Sequence, residues 1–366
     1  MVTDSQTPRL ETIEFSRGIA AALVVLHHTG SIMSQARFYG EHPFNGMFQS
    51  FNVGVDFFFV LSGFIITWVH WQDVGIPSRL PRYAWRRFVR VFPPFWGVVI
   101  PLIIMYRLFP SAGLESQRDP LNILFSLALL PYPLPPVLGV AWTLVREILF
   151  YTLFGLALLM GRRWLLLLPL WGVAVVAAQL RGDLVYPWSI FLDAFNIEFL
   201  FGIGAALWLR NRRITSPVLL LSAGVALFFG GMIFLTNIQD VSLIGRLYFG
   251  SASVAVLLGM VEYERSVKFQ LSAALRFFGA SSYSIYLVHP IALSFAVHLV
   301  TRVVDRDIPV GLPVAMLAAA GIAGGLIYHA AVEKPLISKL RSFFGSDRSR
   351  GAASPAGERA QSVEAK

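Results

Sequence analysis

The stretch "RGIAAALVVLHH", residues 17–28, sets nine small or aliphatic residues between one arginine and two histidines. An α-helix turns about 100° per residue, so eleven steps bring His28 back to nearly the face of Arg17, about 16 Å further along the axis. That rise is roughly half the hydrocarbon thickness of a bilayer, and His27 points about 100° away. One face of an otherwise apolar helix therefore carries a cation near one end and an imidazole near the other. Ionisable groups inside a membrane segment are expensive, and their depth and facing are the first guide to function.

The rest of the chain fits that setting. Of 366 residues, 56% are hydrophobic and 14% charged, with 30 Phe and 9 Trp, and the mean hydropathy is +0.64. This is too apolar for a soluble globular domain. A formal charge of +9 would suit nucleic acid if it were pooled. The basic residues instead stand in short clusters between apolar runs, the pattern of cytoplasmic membrane loops, and nucleic-acid binding is not expected. The absence of cysteine removes disulfides and thiolate chemistry. Residues 1–12 are polar and lack a small-residue cleavage pattern, so the first apolar run is expected to be retained behind a cytoplasmic N-terminal segment.

Apolar runs near 13–33, 52–71, 84–108, 142–160, 164–180, 190–209, 216–236, 243–261, 275–299 and 310–331 predict an all-α integral membrane domain over 13–340. It has about ten transmembrane helices in one bundle. "NILFSLALL" (122–130) is too short to cross alone. If it does not cross, the basic clusters at Arg79–Arg90, Arg162/Arg163, Arg210–Arg213, Arg265–Arg276 and Lys334–Arg341 share one side. The positive-inside rule then puts both termini in the cytoplasm, with 109–141 as an outer loop. Residues 345–366 are polar and rich in small residues, as in a disordered cytoplasmic tail.

Counting depth along each span places His28, Asp56, Glu147 and His289 in the outer half, where they are expected to converge, and Arg17, Arg87 and Arg90 at the inner face. Each has a plainer alternative. Arg87 and Arg90, three apart on one helix face, suit a phosphate clamp or snorkel to lipid phosphates. Asp56 can be an interfacial helix cap, Glu147 can be neutralised by Arg146, and His289 can bond a carbonyl freed by Pro290. The histidines are too dispersed to indicate a metal site.

Taken in order, six short motifs resemble those of the membrane acyltransferase-3 family, bacterial enzymes that O-acylate polysaccharides and related carbohydrates. These are Arg17 with His28, "GVDFFFVLSGF" (54–64), the pair Arg87/Arg90, "AWTLVREILFY" (141–151), "SYSIYLVHP" (282–290) and "VEKP" (332–335). The resemblance covers about residues 9–340. It implies acyl-CoA, chiefly acetyl-CoA, as a cytoplasmic donor, no permanently bound cofactor, and a carbohydrate or glycolipid acceptor reached from the outer side. It makes His28 the catalytic residue, Arg17 its partner, and Arg87/Arg90 the donor-binding pair. Some members carry a fused extracytoplasmic domain; its lack here leaves room for a separate transfer protein.

Within that scheme His28 serves as general base or transient acyl carrier, oriented by Glu147 or Asp56. Trp142, Tyr283 or Ser282 would supply oxyanion donors if the fold brings them close. Ser62, in "LSGF", is a weaker candidate nucleophile because no His–Asp pair adjoins it. Ser62 and His289 join Trp142 and Tyr283 as candidate substrate-binding residues. The competing class is a proton-coupled transporter or flippase, which would also line a pathway with polar residues, although no inverted repeat is visible.

Overall fold

In the computed structural model, which describes residues 10–182, 184–234, 243–267, 270–304 and 308–345, helices dominate and no strand occurs among those residues. Most of the expected N-terminal segment, the proposed tail from 346 on, and the cations Lys268 and Arg306 lie outside the described residues. The helices are α1 (Glu11–Met33), α2 (Gly54–His70), α3 (Leu80–Leu108), α4 (Pro120–Ala128), α5 (Trp142–Met160), α6 (Leu167–Arg181) and α7 (Trp188–Phe191). They continue as α8 (Phe195–Asn211), α9 (Pro217–Phe234), α10 (Leu243–Ser266), α11 (Ala273–Ala280), α12 (Ser282–Val303), α13 (Gly311–Tyr328) and α14 (Lys334–Gly345). Eight helical stretches are long and apolar enough to cross a membrane. One of them, Gly139–Arg181, is 43 residues long and breaks at Gly161, whose φ of +64° ends α5. α1, with its charged first turns, is not among the eight but spans 23 residues.

The basic clusters gather at one end of the bundle. There the N-terminus of α1 meets the end of α10, where Glu264 accepts from the Glu11 and Thr12 backbone N–H groups. Arg265 reaches Leu209 O at the end of α8, and Arg213 pairs with Glu262 at 3.1 Å. At the other end α4 is only nine residues long, and Leu129 stops it with φ +51°. Trp96 Nε1 donates to Leu127 O, and Val137 N–H donates to Ser126 Oγ, so the segment folds back against α3. At about 1.5 Å per residue, α4 is less than half as long as a crossing needs.

Two local features position the functional side chains. α2 and α8 approach backbone to backbone: a Cβ at Gly63 would strike the Phe199 carbonyl, and one at Gly202 the Val60 carbonyl. Small residues permit such approach, which is a packing reason for the glycine in "LSGF". α3 carries Pro93, Pro94 and Pro101 in its interior, each removing a helical N–H and pushing on the preceding turn. Tyr283 and Tyr328 donate to Val91 O and Pro94 O at 2.8 and 2.7 Å, tying the irregular stretch of α3 to α12 and α13.

Candidate active site

Two cavities meet inside the bundle. The wider, about 920 Å³, opens at the basic end between α1, α3, α11 and α14. The narrower, about 90 Å³, lies deeper among α1, α2, α3, α5 and α12. Arg17 and Arg90 line both, so they form the neck between vestibule and chamber.

The chamber is positively charged. Arg17 has no hydrogen bond or ion pair among the described residues; the carboxylates of Glu147 and Glu333 are within electrostatic reach of it. Arg87 faces the chamber with its guanidinium 5.1 Å from the Tyr151 ring centre and 5.7 Å from that of Tyr83. Its Nε is buried without an acceptor. Glu147 accepts from the Tyr151 hydroxyl one turn away. Arg90 is held at 3.0 Å by fully buried Glu333, which also accepts from Ser284 Oγ (2.6 Å) and His329 Nδ1 (2.7 Å). His329–Glu333 forms a π-helical turn, a device that re-aims side chains and is frequent at functional sites. "VEKP" was therefore legible as a motif, but the role of its glutamate was not.

Beyond the chamber stands a histidine pair. His289 Nδ1 lies 3.1 Å from Ile285 O and also bonds Tyr286 O, the carbonyl that Pro290 leaves without its helical donor. Both partners are acceptors, so Nδ1 carries the proton and Nε2 a lone pair. That lone pair is 3.3 Å from His28 Nδ1, which is 3.0 Å from Val24 O. His28 Nδ1–H thus serves two acceptors, and His28 Nε2 remains a lone pair with no hydrogen bond among the described residues. The tautomers follow from the network. His27 turns away as expected, its Nδ1 3.0 Å from Gln49 O.

The expected convergence of four groups does not occur. Asp56, fully buried, pairs with Arg246 of α10 at 2.5 Å beside Glu198 of α8. Glu147 faces Arg17 and Tyr151, and Arg146 pairs with Asp193 and not with Glu147. Depth counting fixes height along a helix but not rotation about it, and only rotation decides which neighbour a side chain meets. The orienting partner of His28 is His289, not a carboxylate. Nor do His28 and His289 line the enclosed chamber: they stand one layer beyond Tyr286, whose ring centre is 5.9 Å from that of His289.

Among the other candidates, Ser62, Ser282 and Tyr283 line the chamber. Tyr283 is spent on Val91 O. Ser282 Oγ is buried without a partner, but it sits seven residues, about 10 Å of helix, from His289. Trp142 lies outside the chamber, against Phe59, Phe195 and the Arg146 guanidinium. α5 turns Thr143, Leu144, Glu147 and Tyr151 inward instead. Sequence reasoning also missed Tyr286, which bonds Thr143 Oγ1 and Val140 O at 2.8 and 3.0 Å and separates chamber from histidines.

Residues 10–329 match the acyltransferase-domain family of the acyltransferase-3 type. The chain is 30% identical over 313 residues to the exopolysaccharide production protein ExoZ of Rhizobium meliloti, covering 79% of this chain and 90% of that protein. It is 24% identical over 317 residues to the peptidoglycan O-acetyltransferase OatA of Listeria monocytogenes, covering 76% of this chain but only about half of that longer protein (48%). No solved structure matches.

Proposed function

The chain belongs to the acyltransferase-3 family and is a multi-pass membrane O-acyltransferase; from that premise we propose that it carries an acyl group, chiefly acetyl, from cytoplasmic acyl-CoA to a hydroxyl of an extracytoplasmic glycan. On this reading it sits in a bacterial inner membrane with ten crossings, α5 and α6 counted separately and α1 included. The basic end faces the cytoplasm. A transporter reading gains no support from the relatives. A separate extracytoplasmic protein remains a candidate partner for delivering the acyl group to its final acceptor.

The observation that carries the proposal is the series from basic vestibule to cationic chamber to histidine pair, in which Tyr286 stands between the last two and must turn aside for the thioester to reach His28. Arginines without carboxylate partners inside a membrane protein await an anion, and acyl-CoA supplies phosphates on a thin arm. The Arg17–His28 offset of about 16 Å matches the length of that arm. His28 Nε2, a lone pair held in place through Nδ1, takes the proton of the attacking hydroxyl or accepts the acyl group. As the imidazole becomes cationic, Nδ1–H donates more strongly to His289 Nε2. Ser282 Oγ, too far from His289 for the reacting carbonyl, is suited to an amide of the pantetheine arm.

The purified protein with acetyl-CoA and a glycan hydroxyl as acceptor should release free CoA thiol as the acetyl group moves to that hydroxyl. Because the chain has no cysteine, a thiol reagent reads that release without background. Complete inertness toward acetyl-CoA in a folded preparation would reject the donor assignment.

The same assay tests His289 as a positioning residue. His289→Ala removes the acceptor of His28 Nδ1–H and should lower turnover strongly. In His289→Gln the amide oxygen can accept that proton, and much of the rate should return. Equal losses in both variants would show that His289 contributes packing alone.

A further inference from the structure

We propose that the vestibule reads the adenosine 3′-phosphate of the donor through Lys334 and Arg341, with Arg276 beside them. The phosphate selectivity would then lie outside the Arg87/Arg90 pair. This rests on acyl-CoA being the donor.

Three observations lead there. First, Arg90 is not a free phosphate ligand, because Glu333 holds it at 3.0 Å and that carboxylate repels a second anion. Second, Lys334 and Arg341 are seven residues apart and so share a face of α14. Both line the vestibule, both are exposed, and neither has a hydrogen bond or ion pair among the described residues. Arg276 is anchored more firmly, donating to Leu271 O at 2.7 Å and lying 3.5 Å from Glu11. With Arg17 and Arg90 they face only Glu14 and Glu333 as acids on the vestibule wall, so the cavity is net positive.

Third, the two volumes sort the donor by shape. About 90 Å³ beyond the neck has no room for a purine nucleotide, whereas about 920 Å³ before it has. With the thioester at His28, the arm ends near Arg17, where the diphosphate meets the neck. The nucleoside and its 3′-phosphate then lie in the vestibule, against α14. The same cations would also suit lipid headgroup phosphates, so the measurement must separate the two sources.

Binding of CoA and of dephospho-CoA, which lacks only the 3′-phosphate, is compared in neutral detergent without anionic lipid. The comparison uses the wild-type chain and Lys334→Gln/Arg341→Gln. Wild type should bind CoA about tenfold or more tightly than dephospho-CoA. The double variant should bind both at the weaker level, since two exposed side chains are changed and the fold is kept. Equal affinity of wild type for the two ligands overturns the assignment while leaving acyl-CoA as donor. So does an unchanged CoA affinity in a variant that loses only its binding to anionic-lipid vesicles, which would return Lys334 and Arg341 to the membrane surface. A wild-type chain that binds neither ligand removes the donor reading and this inference together.

Discussion

His28→Ala should lower acyl transfer by about 10²–10⁴-fold if the imidazole is only a general base, and to background if it carries the acyl group, while the protein stays inserted and folded. His28 is partly exposed and packs no apolar core, so its removal takes away chemistry and little else. The neighbouring His27→Ala should keep most of the activity, because its ring bonds the Gln49 carbonyl and points away from His289. His28→Ala retains His27, so the comparison tests facing as well as the presence of an imidazole. An essential His27 with a dispensable His28, at equal expression, would remove the shared-face argument and the role of Arg17 with it.

Arg246→Met should cost about 3–5 kcal/mol of stability, the range for leaving a buried charge without its partner. Arg246 is 5% exposed and Asp56 and Glu198 are not exposed at all. Asp56 Oδ2 and both Glu198 oxygens have no N–H or O–H donor, yet the two carboxyl groups adjoin each other. Without Arg246, Asp56 loses its ion-pair partner where α2, α8 and α10 pack together. Glu198→Gln should be nearly neutral, since the amide keeps the side chain's shape and brings N–H donors to the side of the unpartnered Asp56 Oδ2. Thermal unfolding in detergent checks both, and a near-normal midpoint for Arg246→Met would show that the cluster is not held by charge.

The helices were legible because each is a run of apolar residues long enough to read. The segment 122–130 read as too short to cross alone, with the basic clusters favouring a non-crossing segment, and α4 is nine residues long. That His27 and His28 meet different partners was legible too, since it depends only on about 100° per residue within one helix. The expected place of His28 in one chamber with Arg17 was not met, because Arg17 lines it and His28 does not. What was not legible is pairing between helices. Asp56 met Arg246, 190 residues away, and Arg90 met Glu333, 243 residues away. Nothing local marks either partner. Rotation of each helix is set by packing such as Gly63 on Phe199 and Gly202 on Val60, which a single sequence does not display. His289 is an intermediate case. Its bond to a carbonyl freed by Pro290 was foreseeable, and the consequence that its other nitrogen would orient His28 was not.

The claim that donor and acceptor approach from opposite ends is tested most directly with sealed membrane vesicles of known orientation and acetyl-labelled acetyl-CoA. Supplied to the cytoplasmic face, the label should appear in glycan on the opposite face, and the incorporation should vanish in His28→Ala. Equal incorporation when acetyl-CoA is offered only to the outer face, or incorporation that survives His28→Ala, would contradict a path from the Arg17 neck to the histidine pair.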